Sequence, residues 1–382
     1  MANSFASLYR TLFSAMAETS RELIGMIPAV SIDATGDMAA LGQTITIPVA
    51  PAQAVEDVAA SNISTTGANR AIDPVQVSIS KSRHSSFHLT AEEEMALVNG
   101  GTASDVMMQS VMEAFRALTN EVEKDLAVEA AGAASRAVGT AGTTPFGTKD
   151  DLGDFAQPGL VLDLNGAPIM NRSLVIDPEA KAKLIQTQAS IFRVDEHGDP
   201  LGRRRGIIGM INNLDVGTSG GLGKHTPGAG SGYLVNHGAG YAIGDTAIVI
   251  DTGSGALKRG DVITFADDDH QYVIAQDRTG AGTLHINKPG LRQALANNKA
   301  ITSVAAFSRN VALAKSAVVL VARPPAVPSM GDAGVRTYMQ DPVTGLVFEI
   351  ATFPQVRQNT FEVGLAWGVK AVRSEHIALL LG

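Results

Sequence analysis

With 382 residues, 45% of them hydrophobic, the chain can bury a substantial core, and its length suggests two or three domains. The formal charge of −8 argues against a nucleic-acid reader, whose affinity would come from Lys and Arg neutralising phosphates. The absence of cysteine excludes disulfides and thiolate metal sites.

Residues 4–25 carry Phe5, Leu8, Leu12 and Met16, then Leu23, which predicts one or two amphipathic helices, with Thr19 or Ser20 restarting the second. Such a segment can serve as a partner-binding arm or as a core helix. Arg10, Glu18, Arg21 and Glu22 interrupt every apolar run before Met26, so neither a signal peptide nor a membrane span is expected, and folding in a cytoplasm is the default. Residues 44–49 alternate as a strand, and Val75, Val77 and Ile79 do the same after Pro74. Between them, residues 51–73 are rich in Ala, Ser, Thr, Asn and Gly and cannot bury enough surface to fold by themselves. Residues 44–90 therefore predict a long protruding hairpin whose tip gains order from another subunit. The competing reading is a disordered surface loop.

Thr90 and Glu93 make a capping-box pattern for a short helix over 90–99, ended by Gly100. Over 103–131, Met108, Val111, Met112, Phe115, Leu118, Val122 and Leu126 recur at three and four, while Glu113, Arg116, Glu121, Glu123 and Lys124 point elsewhere. Thr102 is the expected cap, with Asp105 three residues on. At ~1.5 Å per residue this helix is about 40 Å long, more than a compact single core requires, and it reads as a spine. Residues 131–147 read as an Ala/Gly/Thr linker, and 160–165 as the end of a helix. Asn165-Gly166-Ala167-Pro168 is a turn, 172–176 a buried strand, and Asp177-Pro178-Glu179 a helix start with Asp as cap. Arg203, Arg204 and Arg205 lie in a solvated loop or at a subunit contact.

Glycine dominates 217–232, and short strands follow at 246–250, 261–265, 272–275, 283–286 and 301–307. That spacing predicts a small antiparallel barrel or sandwich. Residues 317–322 form a continuous apolar strand, 335–339 pair with 346–351 across the turn at 341–345, and 360–372 and 377–381 are the last strands. A glycine linker in, a barrel and a return to the interrupted region predict an inserted domain.

Four stretches carry a resemblance. Leu164-Asn165-Gly166-Ala167-Pro168 with Arg172-Ser173-Leu174-Val175-Ile176-Asp177-Pro178 is the first, and Asn310, Ala312, Ala317, Leu320, Arg323 and Pro324 the second. Residues 338–350 with Trp367-Gly368-Val369-Lys370-Ala371-Val372-Arg373 are the third, and Lys258-Arg259-Gly260-Asp261-Val262-Ile263-Thr264-Phe265 the fourth. Together they resemble the major capsid (coat) proteins of tailed bacteriophages, in the branch typified by the short-tailed Salmonella phages. The resemblance runs from about residue 44 to 382, with Ser374 where relatives often have Pro and a short inserted segment.

That resemblance implies an α+β fold of the Hong Kong 97 type. Its parts would be an N-terminal arm (1–43), an extended hairpin loop (44–90), a short helix and spine helix (91–135), and a peripheral domain with the start of an axial domain (136–215). An inserted small antiparallel β-barrel (216–309) and an axial domain returning to the peripheral domain (310–382) would follow. The resemblance further implies a structural protein, not an enzyme, without catalytic, cofactor or metal residues. It would assemble with itself through hexamers and pentamers into an icosahedral virion head in the host bacterial cytoplasm. Scaffolding protein, portal and a decoration protein are the implied partners, and packaged double-stranded DNA would be enclosed with little specific contact. Subunit contacts are expected at Glu56, Asp57 and Arg70 of the hairpin tip, at Arg203, Arg204 and Arg205, and at the acidic loop Asp267-Asp268-Asp269. An encapsulin-like compartment shares this fold but would carry protein cargo, and the inserted barrel argues against it.

Other chemistry is weaker in the residues. Ile248-Val249-Ile250-Asp251-Thr252-Gly253-Ser254 copies an aspartic-peptidase loop, but two such carboxylates must share a proton and only one copy is present. Gly217-Thr218-Ser219-Gly220-Gly221 matches a serine nucleophile elbow without the helix that should follow it. His225 stands where a phosphate loop needs Ser or Thr after Lys224. His84 and His88 share one face of a strand but lie too far apart for a metal, and Arg259-Gly260-Asp261 reads as a tight turn. A carbohydrate- or receptor-binding role for the barrel is the remaining alternative.

Overall fold

The computed structural model is described over residues 23–49, 73–100, 103–188, 209–329 and 331–382. The helices expected within 4–22, the hairpin tip, the Thr102 cap and the arginine run at 203–205 lie outside those residues. The fold is α+β, with strands outnumbering helices.

The spine Ala103–Gly132 is one helix of 30 residues, about 45 Å long at ~1.5 Å per residue. Val111, Phe115, Leu118, Val122 and Leu126 are buried along one face, and Ala114, Ala127 and Ala130 allow close approach between them. Phe115 meets Phe348 edge to face at 4.9 Å. At about 1.5–3 kcal/mol per fully buried large apolar side chain, packing rather than intrinsic propensity stabilises this helix. The preceding helix Ala91–Gly100 has the expected capping box: Glu93 N donates to Thr90 Oγ1 at 3.3 Å, and Thr90 N donates to Glu93 Oε2 at 2.9 Å.

The spine lies against a six-stranded sheet ordered Ser31–Ala34, Val318–Arg323, Gln358–Ala371, Val347–Gln355 and Val335–Gln340. Lys81–Thr90 joins Gln358–Ala371 on its other flank, because Trp367 pairs with Ala322 on one side and Lys81 on the other. The expected hairpin over 44–90 is thus corrected at its base. Thr44–Val49 pairs with Asp73–Ser78, but Lys81–Thr90 leaves to complete the sheet, where Phe87 stacks on Phe361 at 5.2 Å.

A ten-stranded sheet holds Arg136–Val138, Ile377–Leu381, Phe307–Ala314, Arg172–Ile176, Leu214–Thr218 and Met210–Ile211 in that order. Helices Gly153–Leu164 and Pro178–Thr187 cover it around Phe155, Leu162, Leu174, Ile176 and Leu184. Asp177 caps the second helix, accepting Ala180 N at 2.6 Å, with Pro178 in the first position. One expectation fails here. The 131–147 linker contains the strand Arg136–Val138, set between Gln271–Val273 and Ile377–Leu381. The strand at Arg172–Ile176 and the Asn310 strand are paired neighbours, while the hairpin over 338–350 belongs to the other sheet. Residues 310–382 therefore feed both sheets.

Lys224–His225 pairs with Phe307–Ala314, and the last three strands of the ten-stranded sheet, Gln271–Val273, Val262–Phe265 and Ile301–Ser303, also belong to a closed circuit. Ile274 bridges to Ile286 beyond Gly282–His285, which pairs with Ala247–Asp251, and that strand pairs with Leu234–Val235. Leu234 bridges to Ala300, next to Ile301–Ser303, and the ring is complete. Tyr233, Ile248, Ile250, Phe265, Leu284 and Leu291 fill its interior as a separate apolar cluster.

Candidate assembly surfaces

The hairpin stands on a fixed root. Gly42 N donates to Ile79 O and Ile79 N to Gln43 O, each at 2.9 Å, while Val77 and Ile79 pack against Val319, Val321 and Ala366. Gly368 permits the approach, since a Cβ there would stand 2.1 Å from Ser78 O. From Thr44 opposite Ser78 to Val49 opposite Asp73, the two strands pair only with each other among the described residues. Pro48 and Pro74 face one another across the ladder and remove N–H donors from it, which keeps the edge from recruiting stray strands. Glu56, Asp57 and Arg70 lie beyond it, outside the described residues.

Behind the root, charge ties the spine to the sheet. Lys81 Nζ donates to Glu121 at 3.0 Å and Asp125 at 2.9 Å, and stands 5.9 Å from the Trp367 ring centre. Burial pulls the Lys81 ammonium down, but the bonds to Asp125 and Glu121 together outweigh it and hold the group above its ordinary value. Glu123 is buried and serves a different joint. Its carboxylate accepts Gly25 N and Met26 N at 2.6 Å each and Ile27 N at 3.0 Å, the free donors at the start of helix Met26–Ala29.

At the neck of the closed circuit, Asp261 is fully buried and ties together four other points of the chain. It accepts His225 Nε2 at 2.7 Å, Gly228 N at 3.0 Å and Lys258 N at 2.8 Å, and its own backbone carbonyl accepts Ile274 N at 2.9 Å. Asn287 makes the other seam, donating Nδ2 to Gly132 O at 3.0 Å and Ala134 O at 2.8 Å at the end of the spine. The Arg259-Gly260-Asp261 turn is part of this neck.

The acidic loop separates into unlike members. Asp267 is exposed and paired with Lys299, and Asp269 is exposed. Asp268 is turned inward: its carboxylate accepts His270 N at 2.9 Å, approaches His270 Nδ1 at 2.7 Å and accepts Tyr272 OH at 2.8 Å, so it stabilises its own turn. Burial is the main reason the Tyr272 hydroxyl is pushed far up. Asp251 ends a strand and enters a turn in which Gly253 N donates to its carbonyl at 2.7 Å and Thr252 takes φ +58°. Among the described residues no group of three His, Asp or Glu is placed to hold a metal. No described helix is long and apolar enough to cross a membrane.

Sequence reading set Glu123 off the inward stripe, and the structure corrects this: the residue is buried, because its carboxylate takes the three backbone donors at 25–27. The roles of Asp261 and Asn287 were missed.

No family model matches the sequence, and no curated protein matches it. Solved structures share its shape at low identity. The capsid of the cyanophage P-SCSP1u aligns with a TM-score of 0.49 at 13% identity, covering 94% of this chain and 88% of that one. A structure from Mycobacterium phage Che8 gives 0.45 at 14% identity, covering 89% and 84%. A virus-like particle from Pyrococcus furiosus gives 0.43 at 10% identity, covering 99% and 100%.

Proposed function

We propose that this chain is a major capsid protein of a tailed phage, self-assembling through hexamers and pentamers into an icosahedral shell around double-stranded DNA. The observation that carries the reading is the hairpin. Two strands leave a firmly bonded root, pair only with each other among the described residues, and lead into a 23-residue stretch, 50–72, whose composition cannot make a core of its own. Such an element gains its contacts from a neighbouring subunit, and closed symmetry then builds a shell. The coat-protein resemblance of the four sequence stretches supports the same reading, as does the long spine on which the root is fixed.

Scaffolding protein, portal and a decoration protein complete the proposed partner set, and the closed circuit over 234–303 corresponds to the inserted barrel. Electron microscopy of the purified chain, alone and coexpressed with a scaffolding protein, tests the proposal. Regular closed shells are expected. A protein that stays monomeric under both conditions overturns it.

A further inference from the structure

Helix Gly153–Leu164 is apolar on both sides. Phe155, Val161 and Leu162 are buried in the cluster under the ten-stranded sheet, which accounts for the inward face. On the outward face Leu152, Leu160 and Leu164 are 47%, 56% and 51% exposed, and Ala156, between the first two, is exposed as well. These four recur at every fourth residue, the spacing of a ridge along a helix surface. A helix that is apolar all round is normally covered on every side. Beyond the helix end Ile169 and Met170 are 64% and 79% exposed. The turn leading to them is rigidly held. Arg172, itself buried, donates Nε to Pro168 O and Nη2 to Ala167 O at 2.7 Å each, and Nη1 to Asp163 Oδ1 at 2.6 Å. Three bonds from a buried guanidinium thus fix a turn that presents two large apolar side chains to solvent, so this surface is ordered before anything covers it.

We propose that the outward face of Gly153–Leu164 pairs with the same face of a second copy, across a two-fold axis midway between Ala156 and Leu160. Three observations select that occupant. The ridge is self-complementary, because Ala156 leaves a notch between Leu152 and Leu160. Leu160 of each copy then seats beside Ala156 of the other, with the helices crossing at about −50°. Charge permits the approach, since Asp163, the one charged side chain among residues 155–164, is already paired with Arg172. Size is the third. Twelve residues make a face about 18 Å long and ~10 Å wide, on the order of 200 Å², well short of the roughly 800 Å² per partner in a standard interface. A contact so small is effective where identical subunits repeat it many times, so the inference rests on the assembly reading above. Rings close through head-to-tail contacts, and a two-fold contact of this kind would join one ring to the next.

The chain contains no cysteine, so single-cysteine variants can link only between copies. Full-length Ala156→Cys and Leu160→Cys, mixed in equal amounts and mildly oxidised, should give a disulfide dimer several-fold faster than either variant alone. Ala239→Cys, exposed on the closed circuit, mixed with Leu160→Cys gives the collisional background. A first mixture no faster than that background overturns the proposal. Leu160→Asp sets an acid on the ridge of each copy. It should unfold at the wild-type midpoint, because Leu160 is half exposed, while self-association measured by sedimentation falls at least tenfold. Association unchanged in this variant also overturns the proposal. The two readings fail separately: shells that form without the crosslink refute only this contact, and crosslinked dimers that never build shells refute only the shell.

Discussion

Trp367 donates its indole N–H to Asp125 Oδ2 at 2.9 Å, joining the buried middle of the sheet's long central strand to the spine helix. The other oxygen of Asp125 accepts Lys81 Nζ at 2.9 Å, so a single carboxylate fixes the spine, the central strand and the flanking strand Lys81–Thr90. Asp125→Asn keeps an acceptor for the indole and should cost about 1 kcal/mol. Asp125→Ala leaves the buried N–H unpaired and should cost about 2–3 kcal/mol. Shifts of the denaturant midpoint in that order check the assignment; equal losses contradict it.

Glu123, two residues before Asp125 on the spine, offers a test of a different joint. Glu123→Gln retains one acceptor oxygen for three backbone donors, and Glu123→Ala retains none. Hydrogen exchange at Gly25, Met26 and Ile27 should accelerate progressively in the two variants, ahead of any global unfolding. Exchange that rises only together with the rest of the molecule would show that the carboxylate does not clamp this joint.

Two acids on the outer hairpin of the six-stranded sheet should give opposite pH signatures. Arg336, and after it the Gly334 N–H, hold Asp332 down at about 2. A folded value below the ordinary 3.8 means stability that is complete above the unfolded value and lost as pH falls through about 2. Glu349 is raised, first by burial, and Arg336 only partly offsets this. Its ionised form is therefore a penalty above the raised value, relieved as pH falls toward the ordinary one. Unfolding curves of wild type and Asp332→Asn should differ above pH 4 and converge below about pH 2, whereas Glu349→Gln should compare best with wild type at neutral pH. A constant difference across pH for either variant contradicts its assignment.

Deleting residues 55–69 should leave a soluble, cooperatively unfolding monomer that forms no regular shells, because the described root is bonded without that stretch. Sedimentation and microscopy give the answer. Normal shells from the deletion would remove the hairpin from the assembly mechanism.

The closed circuit over 234–303 has its own apolar cluster, and a chain of residues 222–306 should give dispersed amide resonances with almost no helix. Its seams should make it weaker alone than in place. Gln271–Val273 loses Arg136–Val138, and Asn287 loses both spine carbonyls. In the full chain, Asn287→Ala should cost about 1–3 kcal/mol, since two buried carbonyls lose their donor. A collapsed spectrum from the fragment would show that the circuit depends on the neighbouring sheet to fold.

Local chemistry made much of this fold legible before any coordinates. The 3.6-residue stripe from Val111 to Leu126, the Thr90 and Glu93 capping box, and Asp177-Pro178 all act within a few residues of themselves. Pairing across the chain left no such trace. Nothing in Arg136-Ala137-Val138 announces a place between Gln271–Val273 and Ile377–Leu381, because three small or charged residues carry no alternation. Lys81–Thr90 reads as hairpin for the same reason, since alternation reveals a strand but not its partner. Three consecutive acids look alike in sequence, and nothing there marks Asp268 as the one onto which His270 and Tyr272 fold back.

Ile377–Leu381 lies inside the ten-stranded sheet, hydrogen-bonded to Phe307–Ala314 on one side and Arg136–Val138 on the other. On a ribosome, residues 23–376 emerge before this strand does, so until then the sheet lacks a central stave. Closure demands pairing partners some 240 residues apart in sequence, a slow, high-contact-order step. Until Ile377–Leu381 is available to pair, the exposed edges of Phe307–Ala314 and Arg136–Val138 are where a chaperone would act.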